Sequence, residues 1–203
     1  MLDESTAALV PVKAEARLVG QKSTLASRRG RSVGTVYLLL DHSASMADGN
    51  KLLQLKRGAL RFFGEAWLRD YAVGAVAFSS RASCLIGASR DFYTFEKRIA
   101  TLQADGRTAM ASALRLATWR LRWRKRNRVI VLITDGQPND RTATLQAAAT
   151  ARAAGIELIA VGTSGADEAF LAALTPKPEL RNWVAADGLE QGVALSAHGL
   201  PQP

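Results

Sequence analysis

Asp41, Ser43 and Ser45 stand at alternate positions at the end of the apolar run Val36 to Leu40, and two more oxygen-bearing residues, Thr108 and Asp135, follow later in the chain. The set holds carboxylates and hydroxyls but no imidazole or thiolate. Hard oxygen donors of this kind suit a small divalent cation that keeps some of its waters, Mg²⁺ first with Mn²⁺ or Ca²⁺ as alternatives, and argue against Zn²⁺ or copper. Taken singly, each residue has a plainer reading: Ser43 or Ser45 as a helix N-cap, Asp135 as a turn former before Gly136. Asp48 and Asp140 read as solvated turn residues. His42, pointing the other way on an extended backbone, reads as a rim or packing residue.

The elements that must position these groups follow from hydrophobic periodicity. The run before Asp41 is continuously apolar, as expected of a strand buried on both faces. Leu52, Leu55, Ala59, Phe62, Phe63 and Ala66 recur at spacings of three and four, which predicts a helix over about 51–68. Strands are expected over 71–78 and 82–86, joined by a connection so short that it suits an antiparallel hairpin and an edge position. A short helix over 91–102 leads to the tight loop Asp105-Gly106-Arg107-Thr108 and a long helix over about 109–125. The strand 129–134 then ends, like the first, in a carboxylate. A helix over 142–154 closed by Gly155 follows, then a strand at 156–161, a helix at 166–174, a strand at 182–184 and a last helix at 188–196. Strands alternating with helices predict an α/β fold, a doubly wound, mostly parallel sheet with one antiparallel edge strand and helices on both faces. In such sheets ligands gather at the carboxyl ends of the strands, where Asp41 and Asp135 fall.

The pattern resembles a von Willebrand factor A domain with a metal-ion-dependent adhesion site. Its D-x-S-x-S is Asp41-His42-Ser43-Ala44-Ser45, its loop threonine is Thr108, and its T-D-G is Thr134-Asp135-Gly136. The resemblance covers about residues 35–196. It implies a Rossmann-like fold in which Ser43 and Ser45 ligate Mg²⁺ directly, Thr108 binds directly or through water, and Asp41 and Asp135 hold coordinated waters. A cation held mostly by neutral hydroxyls stays electrophilic, so a Glu or Asp carboxylate from a partner protein would complete its shell. The expected role is therefore a non-enzymatic interaction module, of use in assembling or regulating a larger complex such as an ATPase. Two positions depart from the family pattern. Ala44 stands where glycine is common, and Arg107 places a cation beside Thr108, opposed to the metal but suited to an incoming carboxylate.

A second feature lies in the long helix. On a helical projection of ~100° per residue, Arg115, Trp119, Arg122 and Arg126 form a stripe roughly opposite the apolar face, with Trp123 on its flank. Either the two indoles bury against a neighbouring helix with arginines along their edges, or they form a docking surface for an acidic partner or nucleic acid.

Composition bounds the rest. The 203-residue chain is 48% hydrophobic with a formal net charge of +9, which fits association with nucleic acid, an anionic surface or an acidic protein. Cys84 has no partner for an internal disulfide and is expected to act as a small buried hydrophobe. No apolar run approaches the ~18 residues of a membrane span, and the acidic start Asp3-Glu4 is unlike a signal peptide, so a cytoplasmic location is expected. A phosphoryl-transfer enzyme is disfavoured because a D-x-D centre needs a second carboxylate where Ser43 stands, and no general base, phosphate-cradling loop or Walker lysine is evident. The domain organisation expected is an N-terminal arm over 1–32 bearing Arg28, Arg29 and Arg31, a single domain over 33–197, and a frayed tail over 198–203.

Overall fold

Six strands and six helices make up the main elements of the computed structural model, which describes residues 32–135, 137–163 and 167–202. The N-terminal arm and its arginine cluster lie outside the described residues. Strands β1 (Gly34–Asp41), β2 (Tyr71–Phe78), β3 (Ala82–Ser89), β4 (Asn127–Thr134), β5 (Glu157–Thr163) and β6 (Arg181–Val184) form one sheet in the order β3-β2-β1-β4-β5-β6. All pairings are parallel except β2 with β3, so the hairpin strand is the antiparallel edge, as expected. The helices are α1 (Lys51–Leu68), α2 (Phe92–Ala100), α3 (Met110–Leu121), α4 (Arg141–Ala153), α5 (Glu168–Leu174) and α6 (Leu189–Leu195).

β1 is central and buried along its whole length. Because successive side chains of a strand point to opposite faces, it feeds two cores. Val36, Leu38 and Leu40 pack with Leu55, Phe62 and Phe63 of α1, Phe95 and Ile99 of α2, and Val193 of α6. Tyr37 and Leu39 pack instead with Leu114 of α3, Ala148 of α4 and Phe170 of α5. The sheet is thus covered on both faces, which is why β1 carries no alternation of apolar and polar residues. Chain connections run outward from β1 in both directions, and the carboxyl ends of β1 and β4 lie side by side through the Leu40–Ile133 pair. That reversal of strand order opens the crevice where α/β sheets bind ligands.

Three expectations need correction. The long helix stops at Leu121 and does not reach Lys125; Arg122 and Trp123 form a turn, and Arg126 precedes β4. The apolar period ends at Leu121, the cations Arg122, Arg124, Lys125 and Arg126 repel one another at helical spacing, and Asn127 must already pair beside Gly34. The tail does not fray over its described residues. Leu200 is buried, and Tyr71 donates a hydrogen bond of 2.7 Å to the Pro201 carbonyl. Cys84 is only half-buried on the edge strand. Gly155 closes α4 at φ 70°, as its position suggested. Among the described residues no helix is long and apolar enough to cross a membrane.

Candidate metal centre

Asp41 is the last residue of β1 and is fully buried. One of its carboxylate oxygens accepts the Ser43 N–H at 2.9 Å, the other the Thr134 hydroxyl at 2.7 Å. Burial pushes its carboxyl above the ordinary range, an effect opposed by hydrogen bonds from Ser43 and Thr134 and reinforced by the nearby charge of Asp135. From Asp41 the polar chain continues. The Ser43 and Ser45 hydroxyl oxygens lie 3.2 Å apart, and Ser45 donates to Oδ1 of Asp135 at 2.8 Å. Oδ2 of Asp135 meets the Lys51 ammonium at 2.7 Å. Lys51 Nζ also lies 3.4 Å from the Ser45 carbonyl.

Thr108 is brought to the same end of the sheet by its loop. Gly106 takes φ 75°, and a Cβ there would lie 2.5 Å from the Ser80 hydroxyl, so only glycine fits the bend. The bend lets the Gly106 carbonyl accept the Ala44 N–H at 3.1 Å, while the Asp105 N–H bonds the His42 carbonyl at 2.8 Å. Thr108 and Asn139 then exchange reciprocal bonds: the Thr108 N–H donates to Asn139 Oδ1 and the Asn139 N–H to the Thr108 carbonyl, both at 3.1 Å. Thr108 is buried with Asp41, Ser43 and Asp135, whereas Ser45 reaches the surface. The loops after β1 and β4 and the loop before α3 therefore converge as the sequence suggested.

His42 sits at the rim, its Nδ1 2.8 Å from the Gln103 carbonyl. Ala44 does not take positive φ, so its Cβ carries no backbone penalty. Arg107 is exposed, with its N–H donating to the Ser80 hydroxyl at 3.0 Å. Asp140, read as a solvated turn residue, caps α4 by accepting the Ala143 N–H at 2.8 Å. Three residues of the site escaped the sequence reading: Lys51, Asn139 and the hydroxyl of Thr134. The one local signal for Lys51 was a cation in the first turn of a helix, against the helix dipole.

The donor chemistry fits a hard divalent cation. Among the described residues there is no cluster of three His, Cys, Asp or Glu side chains that could hold a metal ion; the predicted oxygen donors at this end of the sheet are two carboxylates and three hydroxyls. A cation already lies against one of its carboxylates, in the form of the Lys51 ammonium.

The second group lies elsewhere, at the end of α3. Trp119 is 51% and Trp123 78% exposed, so the indoles do not bury against a neighbour. The Arg122 guanidinium lies over both rings, 5.2 Å from the Trp119 centroid and 5.0 Å from that of Trp123. Arg115 is also exposed, but Arg122 and Arg126 both lie beyond the end of the helix, so only Arg115 and Trp119 of the expected stripe remain on α3.

Comparison with known proteins accords with this geometry. A magnesium-chelatase 60 kDa subunit from Cereibacter sphaeroides is 28% identical over 178 residues, covering 80% of this chain. The chain spans only 32% of that subunit's length. Proximal thread matrix protein 1 from the mussel byssus, solved with a zinc-occupied MIDAS motif, superimposes with a TM-score of 0.70 at 19% identity, over 82% of this chain and 46% of its own. A manganese-loaded TRAP protein of Plasmodium vivax gives a TM-score of 0.67 at 21% identity, over 80% of this chain and 72% of its own. At such identities the likeness speaks to the fold. The family model of the von Willebrand factor type A domain matches residues 35–192, and the chain belongs to that family.

Proposed function

We propose that the chain is a protein-interaction module that holds Mg²⁺ through Asp41, Ser43, Ser45, Thr108 and Asp135 and captures an Asp or Glu carboxylate of a partner. The observation that carries this reading is the continuous hydrogen-bonded chain from Asp41 through Ser43 and Ser45 to Asp135, set at the switch point of the sheet. A bound cation would supply an electrophilic centre with room for an oxygen from outside. The chain's own residues supply position: Thr134 and the Ser43 backbone fix the Asp41 carboxylate, and Asn139 fixes Thr108. Likeness to a magnesium-chelatase subunit supports a place in a larger assembly.

Mn²⁺ titration followed by electron paramagnetic resonance tests the centre. The wild-type chain should bind, and Ser43→Ala should weaken binding by about tenfold or more. A partner retained on the immobilised chain in Mg²⁺ should be released by EDTA. Retention at full strength in EDTA would overturn the reading.

A second reading is favoured by one observation, the exposed Trp119–Arg122–Trp123 cluster. Indole faces that stack on bases and guanidinium groups that meet phosphates are the two components of single-strand binding surfaces. Between Asp105 and Asp135 the sequence holds no acidic residue, while Arg115, Arg120, Arg122, Arg124, Lys125, Arg126 and Arg128 all fall there. The reading is nucleic-acid binding at that face, independent of the metal.

A further inference from the structure

Lys51 is an unusual residue to find at the start of α1. It opens an 18-residue helix whose first turn contains no acidic residue, so its positive charge faces the positive end of the helix dipole. The turn before it is built from two residues at positive φ, Gly49 at 57° and Asn50 at 61°. What this placement gains is Asp135. The lysine side chain is 17% exposed and the carboxylate 1%, at a separation of 2.7 Å. Asp135 has one oxygen committed to the Ser45 hydroxyl, and the ammonium takes the other.

We infer that Lys51 is an internal competitor of the divalent cation, holding the Asp135 oxygen that a metal's water shell would need. The inference rests on the metal-centre reading given above. Formal charge gives it two consequences. Asp41 and Asp135 against Lys51 leave one net negative charge, which attracts a dication less strongly than two would. Adding a dication then leaves the centre with a net positive charge, so a carboxylate arriving from a partner restores neutrality. Lys51 thus lowers affinity for the metal and raises affinity for the acidic ligand. Its release from Asp135 would also free the Ala44–Asn50 segment, whose Ser45 carbonyl it touches.

Wild type, Lys51→Met and Lys51→Gln compared by Mn²⁺ titration test the inference, with magnetic resonance reporting the bound ion and circular dichroism the fold. Methionine removes the charge and keeps the packing; glutamine keeps an N–H for Asp135 without the charge, and serves if methionine does not fold. The expected result is Mn²⁺ binding about fivefold or more tighter in the neutral variant. Without metal the neutral variant should melt at lower temperature than wild type, and Mn²⁺ should restore the loss. A neutral variant whose affinity stays within about fivefold of wild type, or falls, overturns the inference and leaves the metal centre standing. Absence of Mn²⁺ binding in wild type and variant alike overturns both.

Discussion

Single side chains in this domain are held by partners far away in sequence, and Asp167 makes the point in a measurable way. It caps α5 by accepting the Phe170 N–H at 2.9 Å, and Arg141, at the start of α4, donates to its second oxygen. The Arg141 hydrogen bond, followed by that of the Phe170 backbone, holds its carboxyl below the usual range. A depressed folded value means that the stabilisation is complete above the unfolded value of about 3.9 and is lost as pH falls through the folded one. Arg141→Gln should therefore move the Asp167 titration up toward an ordinary carboxylate in a carbon-detected NMR titration; an unmoved curve would assign the effect to the cap alone. At this scale the sequence was a partial guide. The D-x-S-x-S spacing exposed Asp41, Ser43 and Ser45 because a short motif brings them together locally. The Lys51–Asp135 pair spans 84 positions, and no local period records such a contact.

Elements were easier to read than their ends. The spacing of Leu55, Ala59, Phe62, Phe63 and Ala66 located α1, since one buried face on a sheet leaves a clear period. The end of α3 was misplaced because continuing cations look helical in composition while the pairing of Asn127 with Gly34 decides where β4 begins. Two glycines of α1 separate propensity from packing. At Gly58 an added Cβ would lie 2.8 Å from Val193 Cβ and 2.9 Å from the Glu190 carbonyl oxygen of α6. Alanine gains about 1 kcal/mol in helix propensity, but overpacking against backbone costs about 1–3 kcal/mol, so Gly58→Ala should be neutral to destabilising. At Gly64 an added Cβ meets nothing within 4 Å, and Gly64→Ala should stabilise by about 0.5–1 kcal/mol. Urea denaturation checks both; a midpoint raised equally by the two variants would show that α1 and α6 can separate freely.

Over the whole molecule, the alternation of strands and helices made the sheet architecture legible, because short crossovers leave few ways to order parallel strands. Charge was legible as a total but not as a location, since the exposure of Trp119 and Trp123 depends on which helix faces find neighbours. With a formal net charge of +9, nonspecific attraction to nucleic acid is a baseline that any specific surface must exceed. Fluorescence titration with single-stranded DNA over a salt series distinguishes the two. Trp119→Ala and Trp123→Ala should weaken binding without altering its salt slope, while Arg122→Ala should reduce the slope by about 0.7. Equal affinity in all variants would leave only the baseline. One consequence of β1 extends beyond recognition. Since its alternate residues belong to two different cores, neither layer can open while the other stays closed around that strand. Its amides should exchange with solvent only through global unfolding, so the strand that carries Asp41 makes the two halves of the sheet a single cooperative unit.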